Sequence, residues 1–81
     1  MVNEFEIAQT VDASGLSCPM PIIRARKGMD GLEGGRVLEL VATDKGSLKD
    51  VHEWVKIAGH ELLDTVQDGS QFRYYIRKKA N

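Results

Sequence analysis

Cys18 is the single cysteine among the 81 residues, and it lies in the segment SGLSCPMPII, residues 14–23. Proline is tolerated in the first turn of a helix, because the N–H that it lacks would have no partner there. A helix therefore begins at Pro19 or Pro21, with Cys18 at its cap or just before it. The positive end of the helix dipole favours a thiolate at that position and lowers the pKa of the thiol mildly. The segment predicts a rigidly held, mildly activated sulfur.

Several kinds of cysteine chemistry are excluded by what surrounds this thiol. A lone cysteine forms neither an internal disulfide nor the CxxC pair of thioredoxin-like enzymes. No acidic residue or histidine follows Cys18 within helical reach, so no local base is available, although His52 or His60 could approach through the fold. The spacing of Cys18, His52 and His60 lacks the close ligand pairs of a zinc site, and we expect no bound metal. Two hypotheses for Cys18 remain. It is either a thiol that relays a group between partners or a small buried cysteine with a structural role.

Composition predicts one globular domain over residues 1–81. Hydrophobic residues make up 42% and charged residues 28%, which is ordinary for a folded protein. The net charge of -1 gives no overall basic field for nucleic acid or an anionic membrane. The first residues lack the pattern of a secretory signal, and no apolar run approaches the roughly 20 residues that span a bilayer. With a lone thiol, these features predict a cytoplasmic protein.

The segments on either side of the thiol predict a strand followed by a helix. In EFEIAQTV the apolar residues Phe5, Ile7 and Val11 alternate with polar or small ones, which is typical of a half-buried strand. In PMPIIRARKGMDGL apolar residues recur at helical spacing, and the helix ends near residues 28–31. The residues expected on its buried face are Ile22, Ala25, Met29 and Leu32.

The second half of the chain predicts a strand, a helix and a hairpin. RVLELVAT is almost continuously apolar, which is typical of a central strand. In SLKDVHEWVKIAG, Ser47 and Asp50 have capping-box spacing and Gly59 supplies a left-handed stop. The expected buried stripe of this helix is Leu48, Val51, Val55 and Ala58, with Trp54 half-buried beside it. HELLDTVQ and QFRYYIRK flank the turn signal DGS. In the last strand the inward residues are Phe72, Tyr74 and Ile76, and the outward ones are Arg73, Tyr75 and Arg77.

The order βαβαββ limits the architecture. So short a chain has too little apolar surface to cover both faces of a sheet with helices. We expect an α/β (α+β) two-layer sandwich, in which a four-stranded mixed sheet carries both helices on one face.

The segment DASGLSCPMP, with the Arg-Lys helix, the strand VLELVATD and the tryptophan-containing helix ending in AGHEL, resembles the TusA (SirA-like) sulfur-carrier family. The resemblance covers essentially the whole chain. It implies a two-layer sandwich in which Cys18 carries sulfane sulfur as a persulfide, with Gly15, Pro19 and Pro21 as its scaffold. It also implies a sulfurtransferase. Because donor and acceptor proteins would supply the other nucleophiles, we expect no free-standing turnover, and we expect no cofactor.

The resemblance further implies protein partners. The donor would be a cysteine desulfurase or a rhodanese, and the acceptor would serve tRNA thiolation, cofactor synthesis or sulfur oxidation; the carrier itself is expected to be a monomer in isolation. The candidate docking residues are Met20, Arg26, Lys27 and Asp44. The family member most often described has an acidic residue where this chain has Met20, so the tRNA pathway is not assumed.

Alternative functions follow from other residues. Arg24, Arg26 and Lys27 fit a docking face and also an ordinary solvated helix face. The aromatic and basic residues of 72–79 suggest a nucleic-acid-binding or regulatory module in which Cys18 is incidental. Strand alternation already explains those aromatics, however, and we expect no direct contact with nucleic acid. A thiol redox sensor is the other alternative. The glycines at 34 and 35 precede a strand rather than a helix, so a phosphate loop is unsupported.

Overall fold

Residues 6–80 are described by the structure, a computed structural model. The predicted order βαβαββ is confirmed. The elements are β1 (Ile7–Ala13), α1 (Met20–Asp30), β2 (Val37–Ala42), α2 (Ser47–Ala58), β3 (Glu61–Asp68) and β4 (Gln71–Arg77). Phe5, which the alternation placed in the first strand, lies outside the described residues.

The four strands form one mixed sheet in the order β1-β2-β4-β3. β1 runs parallel to β2, whereas β4 runs antiparallel to both β2 and β3. The apolar β2 is therefore central, as its sequence predicts. Because β1 and β2 are parallel, the loops that follow them emerge at the same edge of the sheet, and each loop leads into a helix.

Both helices cover one face of this sheet. On that face Leu40 of β2 pairs with Tyr74 of β4, and both side chains are fully buried. α1 packs on β1 and β2, α2 packs on β3, and the helices contact each other. Met29 and Val51 complete the centre of the core from the helix side. The predicted two-layer sandwich is confirmed.

The other face of the sheet is polar and internally bonded. The Glu39 carboxylate accepts hydrogen bonds from the Thr10 hydroxyl at 2.9 Å and the Tyr75 hydroxyl at 2.7 Å. Tyr75 lies on this outward face, as alternation predicts, but it is only 6% exposed.

The start of α1 lies between the two predicted positions. Pro19 is the N-cap and Met20 is the first helical residue. Ala25 and Met29 are buried, whereas Ile22 and Leu32 pack against the core while partly exposed.

The start of α2 differs from the sequence prediction. Gly46 is the N-cap, and no side chain caps the helix, so the predicted capping box is wrong. The Ser47 hydroxyl points into the core instead, 2.7 Å from the Tyr74 hydroxyl. Since Ser47 begins the buried stripe that continues through Val51, Leu48 lies one residue off that stripe and is 38% exposed. The prediction that Leu48 is buried was therefore wrong.

The two predicted stops are confirmed. Gly59 ends α2 in the left-handed conformation, with φ of 83°. The hairpin turn between β3 and β4 contains Gly69, with φ of 66°.

Candidate functional site

Two loops build the site, one after β1 and one after β2. The Gly15 N–H donates to the Thr43 hydroxyl at 2.9 Å, which ties the first loop to the second. The Ser14 N–H donates to the Asp12 carboxylate at 3.0 Å, which tightens the turn that precedes the thiol. Gly15 has φ of 81°, a conformation that strains residues with a Cβ. These contacts hold Gly15 in the turn that precedes the thiol.

Cys18 lies immediately before the N-cap of α1 and is exposed. Its N–H donates to the Asp44 carboxylate at 3.1 Å, and its peptide bond to Pro19 is cis. The Pro19 carbonyl accepts hydrogen bonds from the first turn of α1, which fixes the helix start beside the sulfur. Pro21 is buried below it. The exposure of Cys18 excludes a buried structural cysteine.

Asp50 is the residue that sequence reasoning missed. The Cys18 thiol donates to Oδ2 of Asp50 over a sulfur-to-oxygen distance of 2.5 Å, although the two residues are 32 positions apart. The spacing of Asp50 from Ser47 predicts a capping box instead. The available signal was topological, because the loops after neighbouring parallel strands meet at one edge of the sheet and bring the first turns of the helices that follow them together.

The predicted lowering of the thiol pKa is wrong. The hydrogen bond to Asp50 raises the pKa of Cys18 above its ordinary value, and loss of hydration and the negative charges of Asp50 and Asp44 act in the same direction. A carboxylate that contacts the sulfur, with a second one at the Cys18 backbone, outweighs the diffuse field of one helix end. The resting site therefore holds a neutral thiol rather than a thiolate.

A groove of about 520 Å³ runs from the sulfur between α1 and α2. Arg26 lines it together with Asp50 and Glu53 on the opposite helix. Its apolar part is formed by Pro19, Ile22, Trp54, Ile57 and Ala58. The thiol therefore opens into a channel with both charged and apolar walls.

The structure separates the four candidate docking residues. Asp44 accepts a hydrogen bond from the Cys18 N–H, and Arg26 lines the groove. Met20 lies two residues after Cys18 in the sequence and is 37% exposed. Lys27 lies elsewhere, in a shallow depression beside β1 that it shares with Arg24. Asp44 and Met20 thus lie next to Cys18 in space or in sequence, Arg26 lines the groove, and Lys27 lies on another surface.

Neither histidine is bonded to the thiol. His52 Nδ1 lies 2.6 Å from the Leu48 carbonyl oxygen, and His60 Nδ1 accepts from the Lys79 N–H at 3.0 Å. Within residues 6–80, no group of three acidic, histidine or cysteine side chains is placed to hold a metal ion.

The aromatic and basic residues near the C-terminus do not form a stacking surface. The rings of Phe72 and Tyr74 are buried in the core. Arg77 is paired with Glu61 at 3.3 Å, and Lys78 donates to the Leu32 carbonyl at 2.6 Å.

In the described part of the chain, no helix is long and apolar enough to cross a membrane.

The structure resembles the crystal structure of a SirA-like protein from Desulfitobacterium hafniense, with a TM-score of 0.77 and 26% identity over 88% of this chain and 97% of that chain. A family model described as Sulfurtransferase TusA matches residues 9–78, and the chain belongs to this family.

Relatives of known name agree with this assignment. The sulfur carrier protein TusA of Allochromatium vinosum is 44% identical over 70 residues, which is 86% of this chain and 92% of the relative. The sulfur carrier protein TusA of Pseudomonas putida is 35% identical over 80 residues, which is 99% of this chain and all of the relative. The family supports a sulfur-carrier role, and a carrier requires a donor protein and an acceptor protein.

Proposed function

We propose that Cys18 accepts sulfane sulfur as a persulfide and relays it from a donor protein to an acceptor protein. The observation that carries the proposal is the exposed Cys18 thiol, held by Asp44 and Pro19 at the mouth of a groove. A sulfur that must meet two different proteins in turn has to be accessible and has to be held in one place. The family's carrier role supplies the chemistry for which this thiol is suited.

The relay consists of two displacements at sulfur. In the first, the Cys18 thiolate attacks the outer sulfur of a donor persulfide, the donor's S–S bond breaks, and the donor's inner sulfur leaves as a thiolate. In the second, an acceptor thiolate attacks the outer sulfur on Cys18, and Cys18 leaves as a thiolate. The sulfane sulfur moves without net oxidation or reduction, so one cysteine is sufficient and no cofactor is needed.

The partners follow from this chemistry. The donor is a cysteine desulfurase or a rhodanese, since both present a persulfide, and the acceptor serves tRNA thiolation, cofactor synthesis or sulfur oxidation. The relay operates in the cytoplasm, where thiols stay reduced. Met20, Arg26 and Asp44 contact the partner near Cys18 and along the groove, and Lys27 provides a contact on the neighbouring surface.

The test is incubation with a cysteine desulfurase and cysteine, followed by intact-mass spectrometry under non-reducing conditions. Wild-type protein should gain the mass of one sulfur atom, and dithiothreitol should remove it. Cys18→Ser is the matched control and should gain nothing while keeping its circular dichroism spectrum. A sulfur adduct on the serine variant would contradict the assignment. A wild-type protein that forms only a sulfenate or a covalent dimer with peroxide, and takes no sulfur, would be a redox sensor instead.

A further inference from the structure

Two carboxylates contact Cys18, and a third lines the groove into which its sulfur opens. Asp50 accepts from the thiol at 2.5 Å, Asp44 accepts from the Cys18 N–H at 3.1 Å, and Glu53 lines the same groove. Arg26 is the cation that lines this groove. Among residues 6–80, the ion pair with charged atoms within 4 Å joins Arg77 to Glu61 in the hairpin of β3 and β4. Neither Asp44 nor Asp50 is therefore neutralised by a contacting cation.

We propose that Asp50 holds Cys18 as a thiol and thereby suppresses sulfur exchange with free small-molecule thiols, which reserves the site for partners that place a cation against this carboxylate. The inference rests on the proposed persulfide relay and adds a specificity-determining residue to it.

The effect on the empty carrier follows from the contact between sulfur and carboxylate. The thiolate is the nucleophile in exchange, and a thiolate formed at Cys18 would lose the hydrogen bond and face the Asp50 charge. Deprotonation is therefore disfavoured until the carboxylate is neutralised. Small electrophiles and free persulfides meet an unreactive thiol.

The loaded carrier is affected in the same direction. When a free thiolate attacks the outer sulfur of the Cys18 persulfide, a new S–S bond forms on the small thiol and the bond to Sγ breaks. The electron pair stays on Sγ, which leaves as a thiolate beside Asp50 and then takes a proton from water. A leaving thiol with a raised pKa departs more slowly, so the cargo is retained.

A cationic partner removes this barrier. A lysine or arginine placed against Asp50 neutralises the carboxylate, and the thiolate of Cys18 then forms more readily in both directions of transfer. The groove carries an excess of negative charge, because Asp50 and Glu53 line it with one cation, Arg26, and Asp44 adds a further carboxylate at the Cys18 backbone. A partner with a basic side chain next to its own reactive sulfur matches this surface.

The test compares Asp50→Asn with Glu53→Gln. Both substitutions remove one negative charge from α2 at the same groove, but Asp50 alone of the two contacts the sulfur. The first readout is alkylation of empty Cys18 by iodoacetamide across pH. Asp50→Asn should move the profile to lower pH, whereas Glu53→Gln should leave it nearly in place and Asp50→Glu should retain the slow wild-type rate at pH 7.

The second readout is loss of sulfur from the loaded carrier to two small thiols, neutral 2-mercaptoethanol and cationic cysteamine. Asp50→Asn should accelerate loss to 2-mercaptoethanol, by about threefold for each tenfold increase in the acidity of the leaving Cys18 thiol. The acceleration with cysteamine should be smaller, because its ammonium group already neutralises the carboxylate. For each thiol, the rate with Asp50→Asn is divided by the rate with the wild type, which removes the intrinsic difference in reactivity between the two thiols.

Unchanged or slower alkylation and sulfur loss in Asp50→Asn would overturn the proposal, as would an equal effect of Glu53→Gln. Circular dichroism of each variant shows whether α2 is intact. If the wild type takes no sulfur from a desulfurase, the proposed function fails, and the alkylation profile still decides whether Asp50 holds the thiol. If the wild type loads normally and Asp50→Asn resembles it in every rate, only the role of Asp50 fails.

Discussion

The hydrogen bond between Ser47 and Tyr74 joins the start of α2 to the centre of the sheet. The two hydroxyl oxygens are 2.7 Å apart, and the residues are 1% and 0% exposed. Within the described chain, no buried side-chain polar atom lacks a partner. Ser47→Ala would leave the Tyr74 hydroxyl in the core without its partner, which costs about 1–3 kcal/mol of the free energy of unfolding.

The two single substitutions should not add. Tyr74→Phe leaves the Ser47 hydroxyl without its partner and is also destabilising, whereas the double variant removes both hydroxyls and leaves no unpaired group. The double variant should therefore be more stable than the sum of the single effects predicts, by about 0.5–1.5 kcal/mol.

Urea denaturation followed by circular dichroism measures these differences. The midpoint should fall while the slope with urea concentration stays constant, because the surface exposed on unfolding hardly changes. In a domain of this size, each 1 kcal/mol corresponds to roughly 4–8 °C in melting temperature. Strictly additive losses, or an undisturbed Ser47→Ala variant, would refute the reasoning that this bond anchors the helix that carries Asp50.

Two further predictions concern packing and pH. Gly28→Ala should destabilise the protein by about 1–3 kcal/mol in urea denaturation, because the new Cβ would lie 2.8 Å from Val11 Cγ2. In Gly31→Ala the nearest atom would be 3.7 Å away, so this control should stay within about 0.5 kcal/mol of wild type, and equal losses in the two variants would contradict the steric argument. Burial, and then the positive charge of Lys79, lowers the pKa of His60 below its ordinary value, so stability should be full above about pH 6.5 and fall as the pH drops below it. His60→Asn should flatten that fall in melting curves from about pH 8 to pH 5, and an unchanged slope would exclude His60 as its source.

The electrostatics of the site fit the proposed relay between two partner proteins. An exposed thiolate reacts with oxidants and electrophiles in solution. A neutral thiol hydrogen-bonded to Asp50 reacts more slowly with them. Restricting the reaction to a docked complex is more useful to a carrier than high intrinsic reactivity.

Several features could be predicted from the sequence alone. The period of apolar residues gave the six elements in their order, and the short chain length favoured a single helical layer. The two prolines placed Cys18 just outside a helix, and the surrounding motif indicated the family. These signals are local, since each depends on the conformational preferences of a few neighbouring residues.

Other features were decided by the tertiary structure. The sign of the Cys18 pKa shift depends on Asp50, 32 positions away, which reaches the sulfur only because β1 and β2 are parallel and their following loops meet. The same docking of α2 turns Ser47 inward and leaves Leu48 exposed, against its expected burial. Contacts between distant segments depend on how the elements pack, and no periodicity within one element records them. The sequence therefore indicated Cys18 as the candidate reacting residue, and the packing determined the direction in which the pKa of its thiol is shifted.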